Sequence, residues 1–251
     1  MRMSGLGRVE SYLLDKIKRE GAVHVTLLDP EKTAAKGATE IARAAKSAGT
    51  AAIMVGGSTV AETRTVDEVV VAIKRSGLPV ILFPNNLTAI SRHADAIWFM
   101  SLLNSTNPYF IIGAHCLGAP LVKRYGIEAI PMAYIIVGEG GAAAVVGQAT
   151  PISFDRPELI ASYALAGQYL GMRVVYLEAG SGARVPVPPS VISLTKKFVD
   201  IPLVVGGGIR TPKAASEAVR AGASIIVTGT LIEEDGGSNR LKEIIATIKQ
   251  R

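Results

Sequence analysis

Eight short, unbroken apolar runs recur along the chain, and this pattern limits the fold more than any other feature of the sequence. Each run ends in turn-forming residues, and segments with helical periodicity separate most of them. Strands with one exposed face alternate apolar and polar residues. Unbroken runs therefore predict parallel strands that helices cover on the outside. The runs are residues 23–30, 51–59, 79–86, 96–103, 130–137, 174–180, 202–209 and 224–230.

Helix-start and helix-stop residues lie between these runs. Thr211 before Pro212, and Asp155 before Pro157, are typical of a helix N-cap and first turn, and Gly49 is typical of a helix end. Eight strands with helical connections in 251 residues predict a (β/α)8 TIM-type barrel. The structural alternative is an open doubly wound sheet, but no G-x-G-x-x-G fingerprint follows the first run.

The connections suggest one domain with local irregularities. No linker or change in composition divides the chain, so residues 1–251 are interpreted as a single barrel domain. Only residues 87–95 separate the third and fourth runs, too few for a full crossover helix, so we expect the third helix to be short or irregular. The longer connections 104–129 and 138–150 are expected to lie over the end of the barrel that carries the active site, where the strands terminate.

Charge and composition exclude several classes of protein. A net charge of +6 favours anionic ligands, although a scattered solvated surface would give the same number. No block of basic residues interleaved with aromatic residues supports nucleic-acid binding. The single cysteine, Cys116, excludes an intramolecular disulfide and a cysteine-rich zinc site. We expect a cytoplasmic protein without a signal peptide or transmembrane segment, whose amphipathic N-terminus is a weak candidate for peripheral membrane contact.

Two glycine-rich loops follow the last two runs. Gly206, Gly207 and Gly208 come before a helix start, and Gly229 and Thr230 end the eighth run. In a (β/α)8 barrel these loops place backbone N–H groups around a phosphate. The alternative is that the glycines serve only tight turns.

A carboxylate interrupts a similar pattern in the sequence VVYLEAGSGA, residues 174–183. Glu178 stands between a strand and the glycines Gly180 and Gly182, where its charge would repel an anion. We interpret it as an acceptor for substrate hydroxyl groups, with Tyr176 on the same side of the strand. A phosphorylated polyol fits this pattern. The alternative is a structural ion pair with Arg184.

Asp29 and Ser58 end the first two runs and form a candidate Mg²⁺ site. One carboxylate and one hydroxyl are an incomplete ligand set, which Mg²⁺ accepts when substrate phosphates and water complete its shell. Helix capping is the alternative role for both residues. The three histidines, His24, His93 and His115, share no motif and are interpreted as structural or rim residues. Trp98 is interpreted as a packing residue that could line an apolar channel.

Several motifs, taken in order, resemble those of the geranylgeranylglyceryl phosphate synthase family. They cover residues 23–230 and are VTLLDPEK, IMVGGST, ILFPNN, FMSLLNS, NPYFIIGAH, YLEAGSG, VGGGIRTP and VTGT. The resemblance implies a prenyltransferase that joins geranylgeranyl diphosphate to sn-glycerol 1-phosphate, forming the first ether bond of archaeal membrane lipids. It also implies an altered third helix and a homo-oligomer.

The resemblance assigns residues to these roles. It implies that Asp29 and Ser58 bind Mg²⁺, the expected cofactor, and that Asp29 and Glu178 are catalytic. It places glycerol phosphate at Tyr176, Leu177, Glu178, Ala179, Gly180, Ser181, Gly182, Gly207, Gly208, Gly229 and Thr230. The proton acceptor is left open between Glu178 and a diphosphate oxygen.

Three alternatives remain at the level of sequence. A heptaprenylglyceryl phosphate synthase would differ in the depth of its tail groove, which one bulky residue such as Trp98 can close. A sugar-phosphate isomerase or aldolase would need paired carboxylates or a Schiff-base lysine at a strand end, and no run ends in such a lysine. A non-catalytic phosphate sensor would bind phosphate without magnesium-dependent turnover.

Overall fold

The computed structural model describes residues 5–57, 59–60, 62–229 and 237–249. In these residues eight parallel strands follow one another around a closed barrel in chain order, and β1 pairs with β8 to close it. The predicted (β/α)8 barrel is confirmed. The strands are β1 Val23–Leu28, β2 Ala52–Val55, β3 Val80–Leu82, β4 Ala96–Leu102, β5 Glu128–Ile136, β6 Val174–Glu178, β7 Leu203–Gly206 and β8 Ile225–Thr228.

Helices surround the barrel and cover one of its ends. Their bounds are α1 Arg8–Glu20, α2 Ala35–Ala48, α3 Thr63–Lys74, α4 Ala114–Tyr125, α5 Gly141–Val146, α6 Pro157–Tyr169, α7 Pro189–Phe198, α8 Pro212–Arg220 and α9 Gly237–Ile248. A π-helical turn, Tyr109–Gly113, precedes α4. No helix within the described ranges is both long and apolar enough to cross a bilayer.

Each strand buries both of its faces, which is why the apolar runs are unbroken. Along β4, for example, Trp98 packs into the interior of the barrel while Ile97 packs outward against α3 and α4. Successive side chains of a strand point to opposite faces, so an alternating run would leave polar groups in one of these two cores.

The connection between β3 and β4 is short, as predicted. A single 3₁₀ turn, Leu87–Ala89, stands where a full barrel would carry the helix between β3 and β4. The Asn86 side chain opens this turn by accepting a hydrogen bond from the Thr88 N–H at 2.8 Å. The barrel wall is therefore thin at this point, and residues of this connection reach the cavity described below.

The helix caps agree with the sequence at one site and differ at another. Thr211 caps α8 by accepting a hydrogen bond from the Ala214 N–H at 3.2 Å. The prediction that Asp155 caps α6 is wrong, because Pro157 is the first helical residue and the N-cap is therefore Arg156. Asp155 instead donates its own N–H to the Ser153 hydroxyl at 3.3 Å.

The N-terminal helix covers the end of the barrel where the strands begin. Val9 and Leu13 are buried in the inner core, and the Glu128 carboxylate at the start of β5 accepts the N–H groups of Val9 and Glu10 at 2.7 and 2.8 Å. The buried Glu10 pairs with Arg173 at 2.7 Å. Val9 and Leu13 therefore close this end of the barrel, and the cavity described below opens at the opposite end.

Candidate active site

A cavity of about 500 Å³ opens at the end of the barrel where the strands terminate. Residues near or just beyond the C-terminal end of every strand line it, from Leu27 in β1 to Gly229 after β8. This is the end at which TIM barrels carry their active sites, because the loops that follow the strands converge there. The cavity brings together most of the residues that the sequence singled out.

The cavity has a polar and an apolar sector. The neighbouring strands β6, β7, β8 and β1 supply the polar sector, with Glu178, Ser181, Gly182, Gly207, Gly208, Gly229 and Asp29. The opposite strands β3 to β5 and the connections after them supply mainly apolar groups: Phe83, Trp98, Phe99, Met100, Leu102, Phe110, Ala114, Ala143 and Val146. The cavity can therefore hold one strongly polar and one strongly apolar ligand part at the same time.

Glu178 ends β6 and points into the cavity beside Tyr176, as the two-residue period of a strand requires. The side chain is only 6% exposed, and one carboxylate oxygen accepts the Gly180 N–H at 2.7 Å. Burial raises the pKa of Glu178, although hydrogen bonds from the Tyr176 hydroxyl and the Gly180 N–H oppose the shift. Arg184 pairs instead with Glu139 at 3.3 Å, so the ion-pair interpretation of Glu178 is wrong.

The glycine loops after β6 and β7 pack against each other with almost no intervening side chains. Gly180 and Gly207 have φ of 108° and 86°, in the region that favours glycine. A Cβ on Gly207 would lie 2.7 Å from the backbone nitrogen of Gly180 and 2.8 Å from a Glu178 carboxylate oxygen. This backbone cradle can present N–H groups to an anion directly beside the carboxylate.

The structure does not bring every predicted binding residue to the cavity through its side chain. Leu177 and Ala179 point outward into the core between the barrel and its helices, so only their backbone atoms are available to a ligand. Ser58 and Thr230 lie outside the described residues.

Asp29 lines the cavity directly after β1. It does not cap α2, which begins at Ala35 with Ala34 as its N-cap. One carboxylate oxygen accepts the Glu31 N–H at 3.1 Å, and the other lies 3.6 Å from the Lys32 ammonium nitrogen. One oxygen is thus held in the turn, and the second faces the exposed ammonium group of Lys32.

The metal ligands available at Asp29 fit one kind of metal ion. In the described part of the chain no group of three or more His, Cys, Asp or Glu side chains could hold a metal. A single open carboxylate suits an ion that keeps several waters and takes its remaining ligands from substrate phosphates, as Mg²⁺ does. Asp29 fits that description, whereas a closed zinc-type site does not fit these residues.

Three aromatic rings meet inside the cavity, and the sequence patterns singled out only one of them. Phe83 directly follows β3, Tyr134 is on β5 and Tyr176 is on β6, and their ring centroids are 5.3 to 5.7 Å apart. Burial, together with the nearby Glu178 carboxylate, raises the pKa of both tyrosines well above the ordinary value. The hydroxyl groups therefore remain protonated and can act as hydrogen-bond donors.

Two cations at the cavity lie within the motifs VTLLDPEK and VGGGIRTP, but the sequence assigned neither of them a role. Lys32 and Arg210 both line the cavity, and each stands within three residues of a predicted site residue, Asp29 or Gly208. That proximity to a strand end is the signal that could have found them.

The histidines and Trp98 occupy structural positions. His24 is fully buried and bonds to the hydroxyls of Thr50 and Thr228. His115 packs on Phe99 and donates from Nε2 to the Met100 carbonyl at 2.7 Å in the apolar wall. Trp98 is 2% exposed, yet it borders the cavity and donates its indole N–H to the Met54 sulfur at 3.1 Å.

Comparisons with known proteins agree with this geometry. Residues 15–248 match the model of the PcrB family. The chain is 56% identical over 243 residues to the geranylgeranylglyceryl phosphate synthase of Thermofilum pendens, covering 96% of this chain and 94% of the relative. It is 57% identical over 242 residues to the enzyme of the same name from Thermococcus kodakarensis, covering 96% of each chain.

A solved structure is similar over nearly the whole chain. It is the (S)-3-O-geranylgeranylglyceryl phosphate synthase of Thermoplasma acidophilum in complex with its substrate sn-glycerol-1-phosphate. The TM-score is 0.93 at 43% sequence identity, and the match covers 98% of this chain and 100% of the other.

Proposed function

The chain belongs to the PcrB family and is similar over nearly its whole length to geranylgeranylglyceryl phosphate synthases. From this family membership we propose the reaction that it catalyses. The protein is a prenyltransferase. It joins geranylgeranyl diphosphate to the 3-hydroxyl of sn-glycerol 1-phosphate, and the products are geranylgeranylglyceryl phosphate and diphosphate. The observation that carries the proposal is the buried Glu178 carboxylate directly beside a backbone phosphate cradle and across the barrel from an apolar wall.

The cradle and Glu178 bind the two ends of glycerol phosphate. The glycine loops at Gly180–Gly182 and Gly207–Gly208 receive the phosphate through N–H groups that need no reorganisation. Glu178 accepts hydrogen bonds from the glycerol hydroxyls, and the Tyr176 hydroxyl together with the Gly180 N–H holds the carboxylate in place. The glycine cradle and the Glu178 carboxylate thus recognise different parts of one glycerol phosphate molecule.

In the transfer the 3-hydroxyl oxygen forms a bond to C1 of the prenyl group while the bond from C1 to the diphosphate oxygen breaks. The hydroxyl proton passes to the Glu178 carboxylate, whose raised pKa makes it a better base than an exposed glutamate. The electron pair of the broken bond leaves with the diphosphate. The buried position of the carboxylate excludes water, which would otherwise compete with the glycerol hydroxyl.

We further propose that Asp29, with Ser58, holds Mg²⁺ beside the diphosphate. When bound, the ion would neutralise the negative charge that develops on the leaving group. Asp29 contributes the carboxylate oxygen that faces Lys32, because the other oxygen is fixed by the Glu31 N–H. The prenyl tail lies along the wall formed by Phe99, Met100 and Phe110.

The metal proposal is tested by titrating Mg²⁺ into the transfer reaction for the wild type and for Asp29→Asn. We expect Asp29→Asn to lower the transfer rate by about a hundredfold or more and to require more Mg²⁺. Glu40→Gln, which makes the same charge change on the exposed face of α2, should behave as wild type. Full turnover in chelator, or an unaffected Asp29→Asn variant, would refute the metal site.

We also propose that the single barrel domain works in the cytoplasm as a homo-oligomer. Large apolar side chains exposed on α6 and just after it, Leu159, Tyr169 and Leu170, support self-association. Light scattering on the purified chain tests this, and a monomer at micromolar concentration would contradict it.

A further inference from the structure

Two cationic side chains line the cavity among the described residues, and they follow different strands of its polar sector. Lys32 follows β1 and Arg210 follows β7. The two substrates of the proposed reaction also carry two separate anionic groups, a diphosphate on the donor and a phosphate on the acceptor. The number of these cations matches the number of anionic groups.

Lys32 is positioned to leave its present partner. Its ammonium nitrogen lies 3.6 Å from Asp29, and the side chain is 58% exposed. An exposed ion pair of this kind contributes little to stability, so little is lost when it breaks. Both Lys32 and Asp29 line the cavity, where the donor diphosphate would bind in the proposed reaction.

Arg210 is positioned at the phosphate cradle. Its guanidinium donates to the carbonyl of Gly182 at 3.3 Å, on the loop after β6, although Arg210 itself follows β7. The contact ties the two glycine loops together. A guanidinium carries five N–H donors in a fixed fork, so one bond to a carbonyl leaves further donors for a phosphate.

We propose that Lys32 binds the diphosphate of the prenyl donor and that Arg210 binds the phosphate of the glycerol acceptor. This assignment rests on the proposed function and adds to it the residues that distinguish the two anions. The backbone cradle supplies only partial charges, so a cationic side chain at each site helps to hold two polyanions in one cavity against their mutual repulsion.

The two cations should affect catalysis differently. Charge builds up on the diphosphate as its bond to carbon breaks, so the Lys32 interaction strengthens in the transition state and contributes to kcat. The phosphate of the acceptor keeps the same charge throughout. Arg210 therefore binds the ground state and the transition state equally, and its loss should raise KM without lowering kcat.

The test compares Lys32→Met and Arg210→Met with two matched controls. Lys36→Met and Arg184→Met remove the same charges from nearby side chains that do not line the cavity. We expect Lys32→Met to lower kcat/KM for the donor at least about tenfold, with KM for glycerol phosphate changed less than about twofold. Arg210→Met should raise KM for glycerol phosphate about tenfold and leave kcat within about twofold. Both controls should match wild type.

Calorimetry provides a readout independent of turnover. Lys32→Met should bind inorganic diphosphate with Mg²⁺ more weakly and sn-glycerol 1-phosphate normally, and Arg210→Met should do the reverse. Lys32→Arg should restore diphosphate binding. Equal effects of both variants on both ligands, or wild-type binding by either variant, would overturn the assignment. A wild-type protein that forms no ether product would refute the proposed function instead, and the binding comparison would still test the cations.

Discussion

Gly206 lies directly beneath the phenol of Tyr176: a Cβ on Gly206 would stand 2.1 Å from the phenolic oxygen. The two residues are on neighbouring strands, and Gly206 is in register with Glu178. The absence of a side chain at position 206 therefore determines where the Tyr176 hydroxyl meets the Glu178 carboxylate. A glycine usually explained by a turn is required here for the geometry of the site.

Gly206→Ala should displace the Tyr176 ring and break its hydrogen bond to Glu178. We expect kcat/KM for glycerol phosphate to fall at least about tenfold, because the carboxylate loses a donor that orients it. The measurement is steady-state kinetics together with circular dichroism of the variant. Gly37→Ala is the matched control, since a Cβ there meets only the Thr33 methyl carbon at 3.4 Å. Normal kinetics of Gly206→Ala would contradict the proposed role of Tyr176.

Glu178→Gln separates catalysis from binding. The amide oxygen can still accept the Gly180 N–H, so we expect glycerol phosphate to bind, while the transfer rate falls by about a hundredfold or more because a neutral amide takes no proton. Single-turnover transfer and calorimetric binding measure the two effects. An unchanged transfer rate would remove Glu178 as the base and assign the proton to a diphosphate oxygen.

The same variant should be more stable than wild type at neutral pH. Burial raises the folded-state pKa of Glu178, so stability falls as the pH rises from the unfolded-state pKa through the folded-state value, and it stays lowered above that window. Glutamine avoids this cost. The melting temperature of Glu178→Gln should exceed that of wild type at pH 7 to 8, and the difference should vanish on acidification. A variant less stable than wild type at neutral pH would contradict the burial argument.

His24 should have the opposite effect on stability. Burial lowers its pKa from 6.5 to about 3, so the stability that depends on neutral His24 is present above about pH 6.5 and is lost as the pH falls toward 3. His24→Gln keeps a polar side chain between Thr50 and Thr228 but does not titrate. Urea unfolding at several pH values should show a smaller loss of stability on acidification for the variant. If the free energy of unfolding varied with pH equally in wild type and His24→Gln, the result would contradict this role of His24.

Trp98 should limit the length of the prenyl tail. It borders the cavity from within the barrel core, so Trp98→Ala opens space beneath the apolar wall. We expect the preference for a seven-isoprene donor over a four-isoprene donor to rise, with a loss of roughly 3–5 kcal/mol of stability from the truncated core residue. Competition between the two donors, analysed by product mass, measures the shift. Trp98→Phe should be intermediate, and unchanged preferences in both variants would contradict the proposal.

The barrel could be predicted from sequence because its physical cause is local. A strand buried on two faces needs a continuous apolar run, and the predicted run 174–180 therefore contains β6 at Val174–Glu178. Glu178 could be predicted for a related reason, since a carboxylate between a buried strand and a phosphate loop conflicts with its surroundings. Such local conflicts are expected at functional sites.

The aromatic cluster could not be predicted in this way. Tyr134 and Tyr176 are paired in register on β5 and β6, and Phe83 follows β3. No local pattern encodes contacts between residues so far apart in the chain.

The net charge of +6 also could not decide between binding of anionic ligands and a scattered solvated surface. Lys and Arg occupy the last turns of six helices, α1, α2, α3, α4, α7 and α8. There they stabilise helix C-termini at the end of the barrel away from the cavity.

The reaction is tested most directly by incubating the purified protein with geranylgeranyl diphosphate, Mg²⁺ and either sn-glycerol 1-phosphate or its sn-3 enantiomer. The fixed positions of the phosphate cradle and Glu178 predict an ether-linked phosphate that is extractable into organic solvent from the sn-1 form, with little or none from the sn-3 form. Absence of transfer from either enantiomer, while sn-glycerol 1-phosphate still binds, would contradict the account and leave a phosphate-binding barrel without prenyltransferase activity.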